Sequence, residues 1–382
     1  MSDHTLKPGW TWVKFGDVVR LNTDRVADPA AKGIERYVGL EHIEPEDLRI
    51  RQWGLVAEGT TFTSYFKPGQ TLFGKRRAYQ RKVAVADFEG VCSGDIYVFE
   101  PKNDCLLPEL LPFICQTERF YEYAVGTSAG SLSPRTNWTQ LAQYEFALPP
   151  LAEQRRMAEV LWASSDLIET HHQALQACQY VLRSIQKKYF IEQPEGKQVK
   201  IGDVAEVRNG TTPRRNRSDY WEGDIPWLPT GKVNERSIYT ADEFITKKAL
   251  SECSLSIIPA GSTLIAMIGQ GTTRGKSARL EIDACINQNF AAMTPVEGLD
   301  SWFLFYQMET FYEALRAWSH GTNQHALNCS LIREFPIWLP PYERQIEIAA
   351  ELRETDSAIH ALTKRLGQSQ EFLICLRESA LQ

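Results

Sequence analysis

Two closely similar stretches, Ala147–Arg155 (ALPPLAEQR) and Trp338–Gln345 (WLPPYERQ), determine how this chain is organised. In both, Leu-Pro-Pro is followed within three residues by a glutamate. Tandem prolines end the preceding element, and proline fixes φ near the value that the first turn of a helix requires. The glutamate suits the positive end of the helix dipole. Each stretch therefore predicts the start of a long helix.

Beyond each motif, apolar and small residues recur at alternating intervals of four and three positions. The first helix carries this seam at Met157, Leu161, Ser164, Ile168, His171, Leu175, Cys178, Leu182, Ile185 and Tyr189. A shift by the 191 residues that separate Gln154 from Gln345 gives the second seam, at Ile348, Leu352, Thr355, Ile359, Leu362, Leu366, Ser369, Leu373, Leu376 and Ala380. A sustained 3.5-residue repeat is typical of a coiled-coil seam. We therefore predict that the two helices pair, with His171 packed in the interface rather than binding a ligand.

The bulk composition is that of a globular protein with room for two or three domains. The 382 residues are 43% hydrophobic and 24% charged, and the formal net charge of −6 argues against non-specific coating of nucleic acid. The eight cysteines are scattered without a C-x-x-C pair, which favours reduced cytosolic thiols. We see no signal peptide or membrane-spanning run, so we expect a cytoplasmic protein with no membrane association.

The paired motifs are part of a duplication of the whole chain. Further echoes recur in the same order, namely Gly16–Val18 with Gly202–Val204, Pro68–Phe73 with Pro259–Ile265, Cys92–Asp95 with Cys285–Gln288, and Gly126–Ser128 with Gly321–Asn323. Short β-branched runs bounded by Gly and Pro predict mixed α/β domains, with helical patches at 107–123 and 301–318. The predicted boundaries are 1–150 for the first domain, 151–193 for the first helix, 194–341 for the second domain and 342–382 for the second helix.

The densest charge in the chain has five cations and a tyrosine within eight residues, 75–82. It lies between two strand-like segments, so it predicts a hairpin loop. Cations with an interleaved aromatic side chain suit contact with phosphates and bases, although a solvated loop is the alternative. The candidate DNA-binding residues of this loop are Lys75, Arg76, Arg77, Tyr79, Arg81 and Lys82.

The corresponding loop of the second repeat, Gly269–Ser277, superficially matches a phosphate-binding loop. The pattern fails because Gln270 stands where the first glycine is required, and because residues 278–282 alternate like a strand where such a loop would open a helix. We therefore reject nucleotide binding and predict a DNA-facing hairpin that carries Arg274 and Lys276.

Other polar segments follow apolar strands and could enter a DNA groove, but could equally be ordinary turns. They are the basic cluster of Arg214, Arg215 and Arg217, the segment containing Lys232, and the matching segment containing His42. Arg135 and Asn323 complete the candidate DNA-binding residues.

No catalytic constellation is visible. Leu339–Tyr342 superficially resembles the Asn/Asp-Pro-Pro-Tyr/Phe loop of amino-methyltransferases, but leucine replaces the Asn or Asp that would hold the target amine. No H-E-x-x-H motif or zinc spacing is present. We therefore predict a protein that is not an enzyme, with no metal and no cofactor of its own.

Taken together, the twice-used Leu-Pro-Pro helix start, the Gly-Asp-Val openings, Asn287-Gln288 and the Gly-Thr segments resemble the specificity subunit of type I restriction–modification enzymes. The resemblance covers essentially the whole chain. It implies an α+β protein with two target-recognition domains, each of which reads one half of a split, asymmetric site in double-stranded DNA. The two helices would pair as an antiparallel coiled coil, giving a pseudo-twofold repeat, and would set the spacing of the half-sites.

The same resemblance implies partners and chemistry outside this chain. Two DNA methyltransferase subunits and restriction/translocase subunits would dock on it, and S-adenosylmethionine, ATP and Mg²⁺ would be bound by those partners, in the cytoplasm of a bacterium or archaeon. Two alternatives stay open. One is the DNA-reading subunit of a type IIB-like restriction enzyme that cuts on both sides of its site, and the other is a coiled-coil adaptor that does not bind DNA.

Overall fold

The computed structural model describes residues 6–130, 133–269, 271–318 and 326–381. The chain divides into two compact units, which we call unit 1 (1–172 with 364–382) and unit 2 (173–363). Each unit therefore contains one mixed α/β domain, one portion of the first long helix and one portion of the second. None of the helices in the described part of the chain is long and apolar enough to span a membrane.

The first α/β domain contains ten strands and four short α-helices, followed by the first long helix. In chain order they are β1 (Thr11–Lys14), α1 (Phe15–Val18), β2 (Val19–Leu21), β3 (Arg36–Val38), β4 (Gly54–Leu55), β5 (Ser64–Phe66), β6 (Thr71–Gly74), β7 (Val83–Val85), β8 (Gly90–Cys92), β9 (Ile96–Pro101), α2 (Leu111–Cys115), α3 (Glu118–Gly126), α4 (Trp138–Leu141), β10 (Glu145–Leu148) and α5 (Leu151–Lys187).

The second α/β domain follows the same plan and leads into the second long helix. Its elements are β11 (Lys197–Lys200), α6 (Ile201–Val204), β12 (Ala205–Asn209), β13 (Trp221–Leu228), β14 (Ser237–Ile238), β15 (Glu243–Ile245), α7 (Lys247–Glu252), β16 (Thr263–Ala266), β17 (Ser277–Leu280), β18 (Cys285–Ile286), β19 (Phe290–Pro295), α8 (Ser301–Thr310), α9 (Tyr312–Trp318), α10 (Cys329–Arg333), β20 (Pro336–Leu339) and α11 (Tyr342–Leu381).

The strand orders confirm the duplication predicted from the sequence. One sheet runs β2-β9-β6-β7 in unit 1, and its counterpart in unit 2 runs β12-β19-β16-β17, extended by β14. A second sheet pairs β3 with β8 in parallel in unit 1, as β13 pairs with β18 in unit 2. The strand before each Leu-Pro-Pro motif also pairs with the first strand of its domain, β10 with β1 and β20 with β11.

The predicted seam residues form the covered face of both long helices, which span 37 and 40 residues. A π-helix, Lys188–Glu192, follows the first. Of the twenty seam positions, ten that carry large apolar side chains expected at the interface are all buried or half-buried. They are Met157, Leu161, Ile168, Leu175, Leu182, Ile348, Leu352, Ile359, Leu366 and Leu373. The amphipathic pattern of the sequence is therefore confirmed on both helices.

Within each unit, portions of the two long helices lie against one another. In unit 1 the Nδ1 of His171 lies 3.3 Å from the Oγ of Ser369. Further toward the start of α5, Met157 and Leu161 line the same groove as Leu376 and Ala380. Contact positions rise along one helix as they fall along the other, so these portions run antiparallel. His171 packs in the seam, as predicted.

A buried glutamine attaches the start of each long helix to its domain. Gln154 is 1% exposed, and its Oε1 accepts a hydrogen bond from the backbone N–H of Leu107 at 2.9 Å. Its Nε2 donates to the carbonyl oxygens of Cys105 and Pro149, both at 2.8 Å. The side chain thus joins the turn before the helix to the loop before α2.

Gln345 makes the same three contacts in unit 2. It is 0% exposed and accepts from the N–H of Asp300 at 2.9 Å. Its Nε2 donates to the carbonyl oxygens of Gly298 at 3.0 Å and Pro340 at 2.9 Å. The glutamine of the Leu-Pro-Pro motif is therefore a structural bracket, repeated together with the fold.

Candidate nucleic-acid interface

The cationic loop predicted from the sequence is the tip of a β-hairpin. Strands β6 and β7 pair antiparallel, from Thr71 opposite Val85 to Phe73 opposite Val83. A single 3-10 turn, Ala78–Gln80, forms the tip, and the arginines on either side of it, Arg77 and Arg81, have left-handed φ angles of 54° and 55°. The predicted hairpin is confirmed, and we call this segment, Thr71–Val85, hairpin 1.

One carboxylate faces two arginines beside hairpin 1. Asp95 accepts from Nη1 of Arg76 at 3.1 Å and from Nε of Arg135 at 2.9 Å. Burial alone would raise the pKa of Asp95, but the hydrogen bonds from Arg135 and Arg76 outweigh it and hold that pKa below its usual value. The two candidate arginines therefore share one acid, Asp95. In the sequence, Asp95 stood out only as part of the repeated segment Cys92–Asp95.

The other cations of hairpin 1 also have partners within unit 1. Arg81 forms an ion pair with Glu118 at 2.5 Å, and this hydrogen bond raises the pKa of the guanidinium. Lys82 donates to the carbonyl oxygen of Leu40 at 2.6 Å. The ammonium of Lys75 lies 4.5 Å from the ring centroid of Tyr97, and burial lowers its pKa. These cations are half-buried and partly compensated rather than fully solvated.

Arg77 and Tyr79 differ from their neighbours. The Nε of Arg77 is buried and has no hydrogen-bond partner among the described residues. Tyr79 is 55% exposed at the tip of hairpin 1. Arg77 as a whole is half-buried, and no side-chain ion pair engages its guanidinium among the described residues. This guanidinium and the exposed ring offer a charge for phosphate and a surface for a base or sugar.

The counterpart in unit 2 is the hairpin of β16 and β17, Thr263–Leu280, which we call hairpin 2. The carbonyl oxygen of Arg274 accepts from Nη1 of Arg316 at 2.9 Å, and Lys276 donates to Oδ1 of Asn234 at 2.8 Å. The segment after the glycine-rich loop is strand β17 and not a helix. The predicted strand after this loop is therefore confirmed, in place of the helix that a phosphate-binding loop opens.

The second basic cluster packs on aromatic rings at the edge of unit 2. Arg215 stacks 4.0 Å from the ring centroid of Trp221 and pairs with Glu243. Arg217 pairs with Asp219 at 2.6 Å, and the hydrogen bond from Arg217 lowers the pKa of that carboxyl far below its usual value. Arg214 is exposed. Two of the three predicted arginines are thus engaged with neighbouring acids.

Lys232 does not lie on an exposed tip, so that prediction is wrong. Its side chain is 8% exposed, and the ammonium pairs with Glu235 at 2.6 Å and Asp242 at 3.0 Å. The hydrogen bonds that its ammonium donates to Glu235 and Asp242 raise its pKa. The residue lies in a 3-10 helix, Thr230–Glu235, which turns the side chain inward where the sequence suggested a projecting loop.

Two further candidates have different outcomes. His42 is half-buried in the 3-10 helix Leu40–His42, where its Nδ1 accepts from the N–H of Gly39 at 3.0 Å. Asn323 lies outside the described residues. One further contact was not predicted from the sequence. The guanidinium of Arg36 stacks on an exposed tryptophan, with its Cζ 4.3 Å from the ring centroid of Trp53. A β-strand arginine followed by a lone tryptophan carries no motif that would have revealed this contact.

Other chemistry is limited in the described residues. They contain no group of three or more His, Cys, Asp or Glu side chains that could hold a metal ion. All eight cysteines are free thiols in the structure.

Comparison with known proteins identifies both halves of the chain. A family model described as the type I restriction modification DNA specificity domain matches residues 8–179 and again 194–369. The type I restriction enzyme MjaIX specificity subunit of Methanocaldococcus jannaschii is 35% identical over 174 residues, which cover 44% of this chain and 39% of that protein. The EcoDI specificity subunit of Escherichia coli is 30% identical over 196 residues, covering 47% and 41%. The matched segments therefore span less than half the length of these two relatives.

A more distant relative and two solved structures extend the likeness over nearly the whole chain. The putative type I restriction enzyme MjaX specificity subunit of M. jannaschii is 22% identical over 396 residues, covering 94% of this chain and 87% of that protein. The S subunit from M. genitalium matches all of this chain and 98% of its own length, with a TM-score of 0.68 and 11% identity. A type I restriction–modification assembly gives a TM-score of 0.59 with 21% identity, over 99% of this chain and 98% of the matched chain. At these identities the structures support the fold.

Proposed function

The chain belongs to the family of type I restriction–modification DNA specificity proteins, and from this we propose that it is a sequence-reading subunit for a bipartite, asymmetric site in double-stranded DNA. The observation that carries the proposal is the hairpin repeated at the same place in two sheets of matching strand order. Two domains of one plan with different loops suit two half-sites of different sequence. Hairpin 1 supplies a dense set of cations with an exposed tyrosine, and hairpin 2 supplies Arg274 and Lys276.

To bind phosphate, some cations of hairpin 1 would have to leave their carboxylate partners within the protein. Arg76 and Arg81 are paired with carboxylates, so a phosphate must compete with Asp95 or Glu118 for them. Arg77 and Tyr79 face no such competitor among the hydrogen bonds and ion pairs of the described residues. We infer that Arg77 and Tyr79 make the first contact with DNA. Arg76 and Arg81 would then help to position the DNA and would contribute less of the affinity.

The chemistry of modification is proposed to lie in partner subunits. Two DNA methyltransferase subunits would dock on this chain, with restriction/translocase subunits in the complete complex. S-adenosylmethionine, ATP and Mg²⁺ would be bound by those partners, and the chain itself would be non-catalytic. Membership of a family that acts on DNA in bacteria and archaea supports a cytoplasmic location.

Replacing Arg77 and Tyr79 together by alanine is expected to weaken sequence-specific binding by about 30-fold or more, because a lost phosphate contact and a lost stacking surface each cost at least about 1 kcal/mol. The measurement is titration of the full chain, in complex with its methyltransferase partner, against a duplex that carries its selected site at fixed salt.

Arg155→Ala is the matched control for this experiment. Arg155 is exposed and lines a surface groove with Pro68 and Gly69, at the opposite end of β6 from the hairpin tip. We expect its binding to stay within about twofold of wild type. Equal affinity of the double variant and wild type would move the DNA contact away from hairpin 1, and absence of any sequence preference in the wild-type complex would favour the adaptor.

A further inference from the structure

A short segment of unit 1, Glu46–Arg51, joins hairpin 1 to both long helices. On the helix side, Glu46 accepts from Nη1 of Arg377 at 2.8 Å. Arg51 pairs with Glu169 at 2.8 Å, and Arg49 pairs with Asp166. Arg377 lies on α11, whereas Glu169 and Asp166 lie on α5. We call this segment clamp 1.

The contact between clamp 1 and α11 is deeply buried on the helix side. The side chain of Arg377 is only 2% exposed, and its Nη1 also donates to Oε1 of Gln116 at 3.1 Å. Arg377 has a second carboxylate, Glu378, but that contact is longer, at 3.4 Å. A buried guanidinium that loses the closer of its two carboxylates loses much of its compensation, so we expect the pair with Glu46 to hold its geometry firmly. Glu46 itself has a left-handed φ of 59°, a conformation that L residues adopt rarely and keep only where surrounding contacts hold it.

Clamp 1 is equally tied to hairpin 1. Backbone bridges link Arg49 with Val85 in parallel and the preceding Pro45 with Lys82. The guanidinium of Arg81 lies 3.8 Å from the free oxygen of Glu46. The orientation of the hairpin against the helices of unit 1 is therefore set through one segment with a strained residue at its start.

Unit 2 contains a clamp at the corresponding place. Arg236 immediately precedes β14, which pairs in parallel with β17 of hairpin 2 as Arg49 pairs with Val85 in unit 1. Its guanidinium donates to both carboxylate oxygens of Asp356 on α11 at 2.7 Å and to Glu309 on α8 at 2.5 and 3.0 Å. Glu309 in turn accepts from Gln186 of α5 at 2.8 Å.

The two clamps each contain a residue with a positive φ and reverse their charges. The φ angle is 59° at Glu46 and 62° at Arg236. In unit 1 the acid lies on the domain and the arginine on α11, whereas in unit 2 the arginine lies on the domain and the acid on α11. Glu46 lies three residues before Arg49, and Arg236 lies one residue before the equivalent Ser237. Two different ion pairs so close to the same bridge indicate that this part of the domain is used to contact α11, and not one particular interaction.

We propose that Glu46 and Arg236 are positioning residues, each of which fixes the angle of its hairpin against the long helices of its own unit and thereby makes DNA binding depend sharply on the length of the gap between the half-sites. This inference rests on the proposed function. It gives Glu46 and Arg236, which contact α11, a role in discriminating between gap lengths. Other residues would contact the bases.

The test measures gap discrimination rather than affinity alone. The full chain with its methyltransferase partner is titrated with duplexes that carry both selected half-sites and gaps of the preferred length or one base pair shorter or longer. Glu46→Gln is expected to reduce the ratio of affinities between preferred and altered gaps by about tenfold, since a supporting contact is loosened while the hairpin residues stay in place. Discrimination against base changes within each half-site should stay at the wild-type level.

Two companion variants separate positioning from general destabilisation. Adding Arg377→Gln to Glu46→Gln replaces the ion pair by two amides. We expect it to restore part of the gap discrimination because the buried charge that lost its closer carboxylate is removed. Arg20→Gln removes the exposed Arg20–Glu100 pair of the same unit and should leave the ratio unchanged. If Glu46→Gln prevents folding, Arg236→Lys provides the same measurement in unit 2.

The outcomes are distinct. A uniform loss of affinity at every gap length in Glu46→Gln and Arg236→Lys, with the ratio unchanged, would overturn the positioning role. A wild-type complex that binds sequence-specifically but ignores gap length would overturn it as well. A wild-type complex with no sequence preference would instead refute the proposed function on which the inference rests.

Discussion

Replacing Gln345 by leucine is expected to lower the free energy of unfolding of unit 2 by about 2 kcal/mol, because one backbone N–H and two carbonyl oxygens, of which the one of Pro340 is buried, lose their side-chain partner. Those groups belong to Asp300, Gly298 and Pro340, which the amide joins at 2.9–3.0 Å. Leucine is close in size to glutamine, so the loss comes from hydrogen bonding and not from an empty cavity. Gln154→Leu should have a similar effect on unit 1.

Denaturant unfolding followed by tryptophan fluorescence, together with hydrogen exchange of each long helix, measures this effect. Gln368→Leu is the matched control, since Gln368 is exposed on the same helix, and it should change stability by less than about 0.5 kcal/mol. Gln345→Leu should raise exchange first at the start of α11, and Gln154→Leu at the start of α5. Equal stability of Gln345→Leu and the control would show that the bracket contributes nothing beyond its apolar packing.

Inserting one heptad into both long helices is expected to lengthen the unread gap by about three base pairs, because seven residues add about 10.5 Å of helix and DNA rises about 3.4 Å per pair. The insertions belong after His172 and after Gly367, next to the contact between His171 and Ser369, so that the antiparallel register found there is kept. Three added base pairs also rotate one half-site by about 100° about the DNA axis, so affinity should fall even at the new preferred gap.

Selection of binding sites from a random DNA pool reads out this change directly. Both half-site sequences should stay as in wild type while the gap shifts. The control is a seven-residue insertion after Gly33, an exposed glycine with a φ of 77° and open space where a Cβ would lie. It should leave the gap unchanged. An unaltered gap in the helix variant would refute the role of the helices as a spacer.

The features that could be predicted from sequence are those encoded by local periodicity. The 3.5-residue seam identified the covered faces of α5 and α11, and the strand–cation–strand pattern at 71–85 identified hairpin 1, because each pattern depends on neighbouring residues only. The duplication was visible because Leu-Pro-Pro and its companion motifs recur in order. The same reasoning also rejected a phosphate-binding loop at Gly269–Ser277.

The features that could not be predicted depend on contacts between residues far apart in the chain. Arg377 meets Glu46 across 331 positions, and Gln345 meets Asp300 across 45. The sequence shows the cations of hairpin 1 but not the acids beside them, and Asp95 and Glu118 compensate three of the candidate arginines, Arg76, Arg81 and Arg135. Lys232 was misplaced for the same reason, since its two carboxylate partners bury a side chain that looks exposed in the sequence.

Mapping methylated positions in host DNA tests directly whether this chain reads a bipartite site. The map is made in a host that carries this chain with its methyltransferase partner and in the same host lacking only this chain. We expect one motif that depends on this chain and consists of two different half-sites separated by an unread gap of constant length. A motif that is contiguous or symmetric, or a methylation pattern unchanged when this chain is removed, would contradict it.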